Sequence, residues 1–88
     1  MLLPSTPPIP RMSLEPVCGA LAAVIRRRRE RAGLSLNQLA ARTRLSRPMI
    51  RFIETNERIP TIDTVARISR AFGVSCGQLI REAERTLD

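Results

Sequence analysis

The side chains with most to offer chemically are the arginines of "LSRPMIRFIE", residues 45 to 54. Arg47 and Arg51 are four apart, which places two side chains along one edge of a helix. Ile50 and Ile53 pattern toward a core on the other side. Such a pair is suited to recognition, since a guanidinium stays charged and presents a rigid fork of donors that fits phosphate or the O6 and N7 of guanine. Catalysis has little to draw on. There is no histidine, so an imidazole general base or a nucleophile triad cannot be assembled. Nothing in the pattern calls for a metal ion or cofactor, and the chain does not read as an enzyme.

Charge agrees with recognition. All fifteen basic residues are arginine, against eight acids, for a formal net charge of +7, which points to a polyanionic partner or an anionic surface. With 88 residues the chain can bury one small core. Cys18 and Cys76 lack the paired spacing of a zinc site and read as free thiols in a reducing compartment. The apolar run "VCGALAAVI" has nine residues, about half of a membrane span, and no charged residue precedes it in the first ten, as a secretory leader would require. A cytoplasmic protein without membrane contact is expected.

The elements that position the arginines are helices. Residues 1 to 14 carry Pro4, Pro7, Pro8 and Pro10 with no regular period, so they are expected to form a flexible, extended arm, and residues 15 to 88 a single domain. A first helix is expected from Pro16 to about Ala32, stopping at Gly33, with Val17, Leu21, Val24 and Ile25 on its apolar stripe. Ser35 and Ser75 begin the second and fifth helices as capping boxes with Gln38 and Gln78, stapled by Leu34 to Leu39 and by Val74 to Leu79. Ser46 caps the third, with Pro48 tolerated in its first turn and Leu45 stapling Ile50. Thr61 caps the fourth, whose inner face is read as Ile62, Val65, Ile68, Ser69 and Phe72, and Gly73 ends it. The fifth, from Cys76 to about Thr86, buries Leu79, Ile80 and Ala83. No strand is expected, and the fold class is all-α.

The second and third helices are joined by about four residues, which forces the steep crossing that lays a second helix in the major groove of DNA. Arg47, Pro48, Met49, Arg51 and Phe52 then fall on the outer side as candidate base readers. The starts of the second, third and fourth helices, capped by Ser35, Ser46 and Thr61, offer N–H groups to phosphate, and Arg58 lies beside them.

At these residues the chain resembles a known family, the phage repressor and Cro-like (XRE-type) helix-turn-helix domain. The likeness spans about residues 19 to 82 and rests on "RERAGLS", "LSRPMIRFIE", "NERIPTIDTVARISRAFGVS" and "QLI". It implies a five-helix, lambda-repressor-like DNA-binding domain. It also implies a small transcriptional regulator, a repressor by family habit, that binds a specific double-stranded DNA sequence as a homodimer. Arg29 and Glu54 would form a partly buried ion pair locking the first helix to the third. Three positions depart from the family. Leu36 stands where glutamine is usual, leaving Asn37 or Gln38 to meet phosphate. Arg44 occupies a left-handed glycine position and would project toward the DNA backbone. Asn56 replaces a second glycine. The resemblance leaves two rivals in view: an antitoxin or other protein-interaction module using the Pro-rich arm or the fifth helix, and an unspecific binder using the arginines as charge. The dimer is expected on Leu79, Ile80, Ala83 and Leu87.

Overall fold

The structure, a computed structural model, describes the backbone of residues 11 to 87 and the side chains of residues 16 to 87. Within these residues there are five helices and no strand: α1 (Arg11–Arg31), α2 (Leu36–Thr43), α3 (Arg47–Glu54), α4 (Ile62–Ala71) and α5 (Cys76–Arg85). Four of the five were placed within a residue or two by caps and periodicity. The exception is α1, which begins at Arg11 rather than Pro16. Pro16 has a φ already suited to a helix and removes one hydrogen bond, to the carbonyl four residues back, so helical backbone can continue on its amino-terminal side. Residues 11 to 14 are therefore not extended, and residues 1 to 10 of the expected arm, with Leu2, Leu3 and Ile9, lie outside the described residues.

Three of the connections are built alike. "GLS", "RLS" and "GVS" each supply a left-handed residue, an apolar residue and a serine cap: Gly33, Arg44 and Gly73 have φ of 70°, 60° and 71°. After each, the apolar residue turns its N–H back into the finished helix, from Leu34 to the Arg29 carbonyl at 3.0 Å, from Leu45 to Ala40 at 3.1 Å and from Val74 to Ser69 at 3.0 Å. That closes the carboxyl end of one helix. The serine then opens the next by accepting an N–H three residues on, from Gln38 at 3.1 Å, Met49 at 3.2 Å and Gln78 at 3.1 Å. Gln38 and Gln78 complete capping boxes by accepting from the serine N–H at 2.8 Å.

The core gathers Leu21, Val24 and Ile25 of α1, Leu39 and Ala40 of α2, Ile50 and Ile53 of α3, Val65 and Ile68 of α4, and Leu79 and Ala83 of α5, together with Leu34. Each fully buried large side chain contributes about 1.5–3 kcal/mol. Two expectations fail here. Ile62 is not on an inner face: it is 76 % exposed, because the first turn of α4 projects past the edge of the core that begins at Val65. Leu79 and Ala83 are completely buried within the monomer, so α5 does not keep them for a dimer.

Among the guanidiniums of the described ion pairs, that of Arg29 is held furthest inside. Its Nε and Nη2 donate to the two oxygens of Glu54 at 2.6 and 3.0 Å, and Nη1 donates to the Leu34 carbonyl at 2.8 Å. The side chains are 14 % and 5 % exposed. Hydrogen bonding to Glu54 raises the Arg29 pKa, against the lowering effect of burial. A raised pKa stabilises the fold fully below the ordinary arginine value and is lost only above it, so deprotonation of Arg29 does not limit stability at any working pH. A second bridge, Arg28 to Glu82 at 2.7 Å, ties α1 to α5.

Glu54→Ala is expected to lower the unfolding free energy by about 3 kcal/mol in urea titration, because it strands a partly buried cation, whereas Arg29→Met with Glu54→Leu should recover most of that loss. Arg44→Gly is expected to raise stability by roughly 0.5–1 kcal/mol by removing the left-handed penalty.

Candidate nucleic-acid interface

Helix α3 presents two unlike faces. Ile50 and Ile53 are buried behind it, while Arg47, Pro48, Arg51 and Phe52 are exposed in front, Phe52 at 40 %. Met49 sits at the boundary and is half-buried, with its Sδ 4.0 Å from Nη1 of Arg58. The five candidate base readers thus share one helix, but Met49 offers only an edge. After Glu54 the chain closes on a left-handed Asn56, φ 60°, with the N–H groups of Glu57 and Arg58 both donating to the Phe52 carbonyl at 2.8 and 3.1 Å. This turn sets Arg58 beside the end of α3.

The three candidate anion-binding helix starts are not equivalent. At α2, Ser35 accepts the Gln38 N–H and the Leu39 N–H goes to the Ser35 carbonyl. The N–H groups of Leu36 and Asn37 are left for an outside acceptor, together with the exposed Asn37 side chain and the side-chain Nε2 of Gln38. At α3, Met49 and Ile50 donate to Ser46 and Pro48 has no N–H, so one free amide remains, that of Arg47. At α4, the Ile62 and Asp63 amides are free, yet the Asp63 carboxylate occupies the first turn, 3.0 Å from Arg67. The Thr61 hydroxyl spends its proton on Thr64 Oγ1 at 3.0 Å. The start of α2 is thus the most open to an anion, that of α3 offers one amide beside the Arg47 guanidinium, and at α4 the like charge of Asp63 disfavours one.

Leu36, one of the three departures from the family pattern, is half-buried against the core and offers the start of α2 only its amide. Arg44, with its left-handed backbone, is exposed and belongs to a groove of about 630 Å³ between α2 and α4, lined also by Arg42, Arg67, Arg70 and Asp63. The sequence reading missed this grouping because its members come from two helices that are separate in the chain, and only packing brings them together. Ile62, 76 % exposed, was misplaced for the opposite reason, since periodicity assigns an apolar residue to the core, and Ile59, 70 % exposed, lies in a loop where no period gives a reading. Cys18 and Cys76 are free and half-buried. Among the described residues no cluster suits a metal ion, and no helix is long and apolar enough to cross a membrane.

The architecture has relatives of known structure. Two crystal structures of the clp gene regulator ClgR from Corynebacterium glutamicum superpose on the chain with TM-scores of 0.75 and 0.74, each at 25 % identity. The first covers 81 % of this chain and 76 % of its own, the second 82 % and 92 %. No curated protein sequence matches the chain. The helix-turn-helix family model HTH_3 matches residues 25–79, from the end of the α1 core stripe to the buried Leu79, and so includes the crossing of α2 on α3 and the Arg29–Glu54 pair. The chain therefore belongs to the XRE-type helix-turn-helix family, and DNA-binding regulation of transcription is the function that membership supports.

Proposed function

We propose that the chain binds a specific sequence of duplex DNA with α3 in the major groove, and represses transcription by occupying that site. One observation carries the reading: Arg47 at the first position of α3 and Arg51 one turn later stand exposed on a helix whose other face is fixed in the core. An eight-residue helix is about 12 Å long and enters a groove about 12 Å wide. Arg47, nearest the tip, reads guanine through paired donors. Arg51 lies toward the groove margin, and Pro48 and Phe52 give apolar contact to a thymine methyl, with Met49 supporting them from the edge.

Phosphate contacts fix the register. Ser35, Asn37 and Gln38 at the start of α2 form the strongest anchor, and Ser46 with the Arg47 amide lies at the start of α3. Arg44 and Arg58 flank α3 on either side, while Thr61 contributes least because of Asp63. The chain acts as a homodimer on an inverted repeat whose half-sites are about 34 Å apart. The ClgR structures are those of a gene regulator, which supports transcription as the process controlled.

Selection of sites from a random duplex pool at near-physiological salt should enrich an inverted repeat; a pool that enriches no sequence would move the protein-interaction reading to first place. On the selected site, Arg47→Ala is expected to relax discrimination at one base pair by about 1–3 kcal/mol. Arg58→Ala should weaken all sequences alike and reduce the slope of log K against log salt by about 1. Equal weakening of every sequence by both variants would refute the assignment of α3.

A further inference from the structure

We propose that the groove between α2 and α4 is a binding site for a small oligophosphate anion, either a free inorganic oligophosphate or the phosphate chain of a nucleotide. The groove has a volume of about 630 Å³ and is lined by Arg42, Arg44, Arg67 and Arg70 with a single carboxylate, that of Asp63. A space of this size holds a small ligand. Arg42, Arg44 and Arg70 are exposed and enter none of the ion pairs among the described residues. Arg67 pairs with Asp63 of its own helix, and the two side chains are 46 % and 74 % exposed; a surface pair of that kind holds its guanidinium weakly. Four guanidiniums thus line one space, and an anion among them relieves the crowding of like charge.

Two simpler accounts of the cluster fall short. Arginines in the last turn of a helix complement its dipole, which explains Arg42 and Arg70. It does not explain Arg44, whose left-handed backbone, φ 60°, costs stability that a glycine there would not lose. Contact with the DNA duplex explains arginines beside α3, but no residue of α3 and neither Ser35 nor Asn37 lines the groove. It lies at the carboxyl end of α2, a helix length of about 12 Å from the start of that helix. The charge points to phosphate rather than to an acidic peptide. A phosphate chain brings acceptors alone, and each guanidinium fork takes two of its oxygens. A peptide also brings backbone N–H groups, for which the lining side chains hold little: the Asp63 carboxylate is engaged by Arg67 at 3.0 Å, and Thr43 is buried with its hydroxyl donating to the Leu39 and Ala40 carbonyls. A second groove, of about 430 Å³, shares Arg42 and Ala71 with the first and adds Arg31, Leu34 and the half-buried Phe72. An aromatic wall next to the arginines suits the base of a nucleotide, so the two sources of the phosphate chain are separable by experiment.

The test is isothermal titration calorimetry of the full chain, without DNA, at near-physiological salt, with inorganic tripolyphosphate and with ATP as probes. Saturable binding of one equivalent is expected, with a rise in Tm at saturating probe. Arg42→Gln with Arg70→Gln should weaken binding roughly 100-fold, about tenfold for each guanidinium lost. Both residues are exposed, circular dichroism checks the fold, and Arg44 is left in place because the DNA reading also uses it. Arg81→Gln with Arg85→Gln removes the same charge from exposed positions on α5 and should leave binding within about twofold. Tighter binding of ATP than of tripolyphosphate assigns the site to a nucleotide, and equal or weaker binding assigns it to the free oligophosphate. The proposal is overturned by the absence of saturable binding with either probe, by equal weakening in the two double variants, or by a hexaglutamate peptide that binds more tightly than both probes.

Discussion

Everything in this fold depends on turning the chain sharply three times without leaving a helix end unsatisfied. Helices of eight to ten residues are too short to be stable alone, and each has eight orphan polar groups at its ends. The sequence of left-handed residue, apolar residue and serine meets both demands at Gly33 to Ser35, Arg44 to Ser46 and Gly73 to Ser75. The left-handed residue closes one helix, the serine opens the next, and the apolar residue between them sits against the core as the staple for both. Because one residue serves two helices, the angle between them is fixed by backbone hydrogen bonds. The angle at which α3 crosses α2 is thus a property of the turn, available before any DNA is met.

The Arg29–Glu54 pair extends that rigidity across the chain. The turns join neighbours in sequence, but α1 and α3 are not neighbours, and apolar contacts alone allow sliding. A two-pronged ion pair with a third hydrogen bond to the Leu34 carbonyl has a preferred geometry, and it grips α3 at its last residue. It also ties the start of α2, through Leu34, to the end of α3. Helix α3 is therefore held at its amino end by the Ser46 cap and at its carboxyl end by Glu54.

Much of this was legible in the chain because it is local. Caps, staples and left-handed stops occupy three or four consecutive residues, so Ser35 with Gln38, Ser46 with Pro48, and Ser75 with Gln78 could be placed without knowing the fold. What was not legible depends on where the core ends. Ile62 shares a helical face with Val65 and Ser69, and nothing in its spacing says that the core stops short of it. Met49 looked like an outer residue and is half-buried because it lies at the boundary between faces. Leu79 and Ala83 were read both as core and as area left for a dimer, and only the first holds, since both are fully buried in a fold where α5 packs on α1. The groove lined by Arg42, Arg44, Arg67 and Arg70 joins residues that only packing brings together. Helix starts carry a similar ambiguity: each of three looked able to hold a phosphate, and only the hydrogen-bond accounting separates α2, with two free amides, from α3, with a proline, and α4, with a carboxylate.

The connection between α3 and α4 departs from the other three, and the departure has a physical consequence. Asn56 supplies the left-handed residue, but an apolar residue does not follow it; Glu57 does, and the next cap comes only at Thr61. Without an apolar staple the loop is not drawn into the core, and Arg58 and Ile59 stay at the surface next to α3. A turn like the others would have buried this corner and removed Arg58 from the edge of α3. The fold gives up one staple, worth a fraction of the stability the core supplies, and gains an outward-facing segment that carries both charge, at Arg58, and apolar area, at Ile59 and Ile62.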